Sequence, residues 1–132
     1  MQQLKGRVIK AGQASGRALC TTAPISFFGG VDADSGEIVE IGHPLEGQCV
    51  AGRVLVFPHG KGSTVGSYIL LRLARQGAAP AAIVNQSCET IIAVGAIISD
   101  IPCIDQIDIS AVPDGARLQI DGGILIIEDT RE

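Results

Sequence analysis

A lysine, a glycine and two hydroxyl residues stand in a row at 61–64, between an apolar run and an amphipathic one. The stretch reads Phe57-Pro58-His59-Gly60-Lys61-Gly62-Ser63-Thr64-Val65-Gly66-Ser67-Tyr68. A strand that ends at proline, turns through glycines and opens a helix aims backbone N–H groups and a positive dipole end at the space before Ser63. Such a place holds an anion, or makes a serine more acidic than usual. Two readings of Ser63 stand side by side. In one it is an ordinary helix N-cap, with Gly62 permitting the tight turn, and Lys61 is a solvated loop charge. In the other, Ser63 stands at the mouth of a site, where Lys61 and the N–H groups of Thr64 to Gly66 draw in a substrate anion. A serine alkoxide is a strong base, and a helix N-terminus, a cation and exclusion of water all lower the cost of forming one. The turn is not a nucleotide-binding P-loop, because Gly62 separates Lys61 from the hydroxyl that should follow it directly.

Other reactive residue types give weaker signals. Asn85 and Ser87 follow the next apolar strand, and loops after the carboxyl ends of parallel strands form ligand crevices. Asn85 then faces the same site as Ser63; otherwise the segment caps the next helix. Lys61, Gly62, Thr64 and Asn85 are thus the candidate substrate-binding residues, with Ser63 the candidate catalytic one. No serine–histidine–aspartate triad is legible. His43 and His59 read as structural or exposed. Asp32-Ala33-Asp34-Ser35-Gly36 lacks the ligand at the twelfth position that a calcium loop needs, and reads as a turn. Cys20, Cys49, Cys88 and Cys103 form no C-x-x-C pair and no zinc or iron–sulfur spacing. They read as free, buried thiols in a reducing cytoplasm, and no metal site is expected in this chain.

The elements that must position these residues follow from periodicity. Residues 4–9 alternate as a half-buried strand, 12–16 read as a turn, and 17–21 as a second strand. A short apolar strand at 25–28, a polar turn at 31–36 and a strand at 37–41 come next, then an irregular stretch at 42–47. Residues 53–57 are a continuous apolar strand, buried on both faces. A helix is expected over 63–76, with Val65, Ile69, Leu70, Leu73 and Ala74 on its apolar stripe and Gly77 as its stop. Residues 81–84 are another buried strand. A helix over 90–99 starts near Ser87 or Glu89, and 100–104 return to a strand. The middle is therefore β-α-β-α-β with parallel strands and right-handed crossovers. A turn at 113–115, a strand at 116–120, a hairpin turn at 121–123 and a closing strand at 124–127 complete the chain. The architecture implied is a central parallel β/α unit with an added β layer built from both chain ends.

The bulk numbers fit that picture. The 132 residues suit one domain over 1–132 with a real core. Hydrophobic residues make up 46% but aromatics only 3%, so the core is built from Val, Ile, Leu and Ala. A net charge of −4, a pI near 5.1 and no basic stripe argue against nucleic acid. The start has no apolar segment of signal-peptide type, and the longest apolar run, 90–98, is too short for a membrane span. Only 18% of residues are charged and the mean hydropathy is +0.35. That apolar exterior implies a surface covered by a partner.

Across nearly its full length the chain resembles the small subunit of aconitase X-type enzymes, within them the archaeal branch that acts on mevalonate 5-phosphate. The residues that carry the resemblance are Gly29-Gly30-Val31-Asp32, Gly36-Glu37-Ile38, His43-Pro44-Leu45-Glu46-Gly47, the 57–68 stretch, Pro80-Ala81-Ala82-Ile83-Val84-Asn85, Gly95-Ala96 and Ile101-Pro102. The resemblance implies a swivelling β/β/α domain, equivalent to the mobile domain of aconitase. It implies a large partner subunit that carries a four-iron four-sulfur cluster as Lewis acid for the substrate hydroxyl. It assigns Ser63, by motif position, to remove the proton next to the substrate carboxylate. The net reaction is loss of water from a small phosphorylated hydroxy acid, mevalonate 5-phosphate, giving trans-anhydromevalonate 5-phosphate for isoprenoids. One departure stands out: aconitase places an arginine just after the serine, whereas Thr64 and Val65 follow Ser63 here, so a carboxylate-binding role falls to Lys61 if to any residue. The alternatives are a hydroxyproline-type dehydratase subunit, a phosphohistidine carrier using His59, and a non-catalytic assembly subunit. Pro58 stands where such carriers place a hydroxyl residue.

Overall fold

The apolar run at 53–57 becomes the middle of the sheet, as its lack of alternation requires. The computed structural model describes residues 2–128. Its elements run β1 (Gln2–Lys5), β2 (Arg7–Lys10), β3 (Gln13–Cys20), α1 (Phe27–Gly30), β4 (Val54–Phe57), α2 (Gly66–Gln76), β5 (Ala82–Asn85), α3 (Thr90–Ser99), β6 (Cys103–Asp105), a 3-10 turn (Ile109–Ala111), β7 (Arg117–Asp121) and β8 (Ile124–Ile127). Strands β3, β4, β5 and β6 are parallel neighbours. Helices α2 and α3 are the crossovers between β4, β5 and β6, the β-α-β-α-β unit expected from periodicity.

All four residues of β4 are buried, and they split between two cores. Leu55 and Phe57 pack with Leu70 and Leu73 of α2 and with Ile92 and Ala96 of α3. Val54 and Val56 pack with Leu118, Ile120, Leu125 and Ile127 of the last two strands. Period-2 side-chain direction thus makes one sheet serve a helix layer and a β layer at once. Each fully buried Leu or Ile contributes about 1.5–3 kcal/mol, which offsets the chain's lack of aromatic bulk. The β/β/α layering matches the expected fold class.

The β layer is reached through β3, which changes partners midway. Gln13 to Arg17 pair antiparallel with β7, and Ala18 to Cys20 pair parallel with β4. The turn expected at 12–16 is therefore strand: its glycine and serine are tolerated because the far strand supplies the pairing. The single strand expected at 4–9 is two, β1 paired with β8 and β2 with β6. They lie at opposite ends of the eight-strand order, joined only by Gly6, so the sheet curls back on itself. Any side chain at Gly6 would collide with the Asp105 carbonyl. The short strand expected at 25–28 is instead helical turn α1, broken at Phe28 and Gly29. The strand expected at 37–41 contributes only the isolated bridges Val31–Ile38 and Glu37–Cys49. Helix α2 begins at Gly66 rather than 63, which leaves Val65 exposed instead of on the apolar stripe.

One buried carboxylate closes the curl. Asp105 accepts Arg7 Nε at 3.0 Å, Arg7 Nη2 at 2.8 Å and the Cys88 N–H at 2.9 Å. Burial works against its ionisation, but the Arg7 guanidinium and the Cys88 N–H outweigh it and hold the carboxyl below the ordinary carboxylate range. The fold binds the ionised form. Its contribution is therefore complete above about pH 4 and is lost as the pH falls through the lowered value. Asp105→Ala should reduce stability at pH 7 by about 1–3 kcal/mol, the cost of leaving the Cys88 N–H without an acceptor. Chemical denaturation at pH 7 and at pH 3 checks this: the gap between wild type and variant should narrow at the acid value.

Candidate functional site

Residues from the carboxyl ends of β4 and β5 are tied together before the chain reaches Ser63. The Asn85 amide Nδ2 donates to the Phe57 carbonyl at 3.0 Å. The Pro58 carbonyl accepts the N–H groups of Gln86 and Ser87, each at 3.1 Å. Gly60 then forms a parallel bridge with Ile25, through Ile25 N–H to His59 O at 3.3 Å and Lys61 N–H to Ile25 O at 3.1 Å. A Cβ at Gly60 would lie 2.5 Å from Glu89 Oε1 and 2.6 Å from Ile92 Cγ1, so only glycine fits. Gly62 has φ +91°, and a Cβ there would lie 2.5 Å from Ser26 Oγ. These two glycines let the loop run close over α1 and the start of α3 and then reverse into α2.

Ser63 is exposed at the crest of this loop. Its Oγ accepts the Val65 N–H at 3.2 Å, and its carbonyl accepts the Gly66 N–H at 2.9 Å. Ser63 is therefore not the N-cap of α2, which is Val65 and has no side-chain cap bond; its hydroxyl closes a local turn just ahead of the helix. It also consumes two of the donors expected to face an anion, those of Val65 and Gly66. Among the described residues, the N–H groups without an acceptor at this crest are those of Gly62, Ser63 and Thr64. A hydroxyl oxygen that accepts an N–H at the head of a helix is one whose negative form is stabilised.

Lys61 is exposed, and its Nζ lies 3.3 Å from Glu40 Oε2. An exposed pair of this kind is worth little and exchanges readily for another anion. Ser26, Phe28, Gly30, Glu40, Lys61 and Gly62 line a shallow hollow of about 350 Å³ on one side of the crest. On the other side Thr64 joins Ser67, Tyr68, Thr90, Ile91 and Val94 around a hollow of about 280 Å³. Lys61, Gly62, Ser63 and Thr64 are therefore brought together at one surface. Asn85 is not: its side chain is wholly buried, and its Oδ1 has no partner among the described residues. It holds the loop from below and does not line the hollows. Ser26 and Glu40 were missed as site residues. Their sequence neighbourhood, 25–41, carries no regular period that would mark them.

The remaining candidates are accounted for by the fold. His43 is buried, with Nδ1 accepting the Leu45 N–H and Nε2 donating to Pro24 O, each at 3.0 Å. His59 is exposed and bonds its neighbour's carbonyl through Nδ1 at 2.8 Å. The cysteines are free thiols, but only Cys103 is buried as expected; Cys20 and Cys88 are half-buried and Cys49 is exposed. Burial, then the Asp114 charge, pushes the Cys20 thiol up to about 12. Hydrogen bonding to Cys88 and burial push Cys103 well above the ordinary thiol range. Neither is a ready thiolate. No cluster of three His, Cys, Asp or Glu side chains able to hold a metal ion occurs among the described residues. An iron–sulfur cluster does not fit this chain's own cysteines as a ligand set. No helix among the described residues is long and apolar enough to cross a membrane.

Comparison with known proteins places this geometry. Residues 3–128 match the family model described as the aconitase X swivel domain. The phosphomevalonate dehydratase small subunit of Methanosarcina acetivorans is 50% identical over 129 residues, covering 96% of this chain and 90% of the relative. That of Thermococcus kodakarensis is 45% identical over 130 residues, covering 96% and 98%. The crystal structure of Thermococcus kodakaraensis aconitase X, in its holo-form, superposes with a TM-score of 0.96 at 44% identity, covering 98% of this chain and all of that one.

The two loop glycines should fail in different ways. Gly60→Ala forces Glu89 and Ile92 aside and should cost about 1–3 kcal/mol in thermal or chemical unfolding. Gly62→Ala meets only the movable end of Ser26 but must hold a positive φ, at about 1–2 kcal/mol. Adding Ser26→Gly should recover little of the second loss, since the backbone strain remains.

Proposed function

The chain belongs to the aconitase X swivel-domain family, and on that premise we propose that it is the small subunit of a phosphomevalonate dehydratase, working with a large subunit and not alone. The observation that carries this reading is the identity of 45–50% with subunits of that name over almost the whole chain. The site's geometry supports it. Elimination of water needs a base at a C–H bond and an acid at the hydroxyl, and this chain offers a candidate for the first and no seat for a cluster. The hydroxyproline-type and phosphocarrier readings have no counterpart among these relatives' names.

The four-iron four-sulfur cluster belongs on the large subunit in this reading, where it supplies Lewis acidity to the substrate hydroxyl. What falls to this chain is the proton. Ser63, in its alkoxide form, takes the proton from the carbon beside the substrate carboxylate. The electron pair of that C–H bond forms the double bond, the C–O bond breaks with hydroxide as leaving group, and the proton taken up by Ser63 Oγ passes to that hydroxide, giving water and restoring the alkoxide. The Val65 N–H, 3.2 Å from Oγ, steadies the charge on the serine before transfer. Lys61 turns from Glu40 to a substrate anion, and the N–H groups of Gly62 and Thr64 are placed to accompany it. Asn85 acts from beneath as a positioning residue.

The test is reconstitution with the large subunit and a water-loss assay on mevalonate 5-phosphate. Ser63→Ala should assemble normally and lose about 10²–10⁴-fold in turnover. Full turnover with alanine at 63 would reduce the chain to an assembly subunit.

A further inference from the structure

Cys88 and Cys103 are brought together by the carboxylate that closes the curl. Cys103 and Asp105 are two apart on β6, so their side chains point to the same face of the sheet, the one that the helices cover. Asp105 holds the Cys88 N–H at 2.9 Å, which sets the Cys88 side chain beside Cys103. There the Cys103 S–H donates to the Cys88 sulfur, and Cys88 Sγ lies 3.6 Å from the Glu89 carbonyl. Cys103 is wholly buried in the helix-side core, and Cys88 stands half-buried at its margin. The Arg7 guanidinium, seated on Asp105, is near enough to the Cys88 sulfur for their charges to interact. A reachable thiol beside a cation, with a second thiol enclosed behind it, is the arrangement of an attacking and a resolving cysteine. The other two cysteines lack it: Cys49 Sγ bonds the Ser35 carbonyl and Cys20 Sγ the Val112 carbonyl, at 3.2 and 3.6 Å.

We propose that Cys88 and Cys103 are a reactive thiol pair that a low-molecular-weight disulfide, RSSR, closes into an intramolecular disulfide bond. The Cys88 sulfur attacks one sulfur of RSSR, whose S–S bond breaks; one RS⁻ leaves, and Cys88 carries a mixed disulfide. The Cys103 sulfur, losing its proton, then attacks the Cys88 sulfur, and the bond from Cys88 to the second RS group breaks. The two protein thiols are oxidised, the small disulfide is reduced, and the two protons leave on two molecules of RSH. The new bond closes a ring that spans α3. It fastens to β6 the loop whose N–H groups at 86 and 87 hold the Pro58 carbonyl beneath the crest. The pair is thus a modification site whose state reaches the segment that carries Ser63.

The purified full chain is incubated with oxidised glutathione, blocked with iodoacetamide in denaturant and digested with trypsin. Residues 76–117 form one tryptic peptide, because no lysine or arginine lies between Arg75 and Arg117, and Cys88 and Cys103 are its only cysteines. In wild type that peptide should appear unalkylated and lighter by two hydrogens. Cys103→Ser should stop at the mixed disulfide on Cys88. Cys88→Ser should leave Cys103 reduced, its thiol lost about 10-fold or more slowly than in wild type. Circular dichroism verifies that each variant is folded; where one is not, the wild-type peptide decides alone. A wild-type peptide that keeps both thiols while Cys49 takes up glutathione would overturn the proposal, because exposure alone would then govern reactivity. A wild-type peptide with glutathione on Cys88 and a free thiol at Cys103 would overturn it as well.

Discussion

A carboxylate buried without compensation would cost more than a small domain can spare, so everything around Asp105 is arranged to satisfy it. Arg7 reaches it from β2, two residues after the chain has left β1 at the far end of the sheet order. Cys88 reaches it from the loop after β5 through its N–H. That loop is therefore held at both ends, by Asp105 at 88 and by Asn85 at the end of its strand. Its N–H groups at 86 and 87 then fix the Pro58 carbonyl. The constraint passes from a buried charge to a loop, from that loop to Pro58, and from Pro58 to the crest that carries Ser63. The serine is exposed, yet the backbone beneath it is fastened by groups that are not.

Close approach does the rest of the positioning. Helices α2 and α3 meet where Gly66 and Gly95 have no side chains: a Cβ at Gly95 would lie 2.5 Å from Leu70 Cδ1, and one at Gly66 3.2 Å from Ile91 Cγ2. Ser67 Oγ donates to the Ile91 carbonyl at 2.6 Å, pinning the start of one helix to the start of the other. Glu89 caps α3 by accepting the N–H groups of Ile91 and Ile92, and the same carboxylate fills the space beside Gly60. One acidic residue thus neutralises a helix N-terminus and packs under the loop. That leaves the head of α2, rather than that of α3, as the positive end facing outward.

What was legible in the sequence is what one local rule could decide. The run at 53–57 has no alternation because both of its faces are buried, and 90–99 is too long and too uniform for a strand. The turn at 121–123 and its strands follow from spacing. The misreadings fall where a distant partner overrides local chemistry. Residues 13–16 look like a turn, but β7 pairs with them across more than a hundred residues of sequence. Residues 25–50 bury Phe27, Ile38, Leu45 and Val50 through turns and single bridges, with no period to detect. At the site, Lys61, Gly62, Ser63 and Thr64 were legible because they are contiguous. Asn85 was legible as important but not as buried, since an asparagine after a strand looks the same whether it faces a crevice or supports one. Glu40 and Ser26 meet the loop only in three dimensions.

Asn85 lies buried beneath the loop on which Ser63 is exposed. The Asn85 side chain is wholly buried and ties the ends of β4 and β5 together through the Phe57 carbonyl. It lies under the loop that presents the Ser63 hydroxyl at the surface, and no group of three metal-ligating side chains occurs among the described residues. In the proposed function, a braced loop below and an open surface above suit a base whose substrate arrives on another protein. A serine lodged in a deep pocket of its own could not be brought to such a substrate. One at the crest of a braced loop, between two shallow hollows, can.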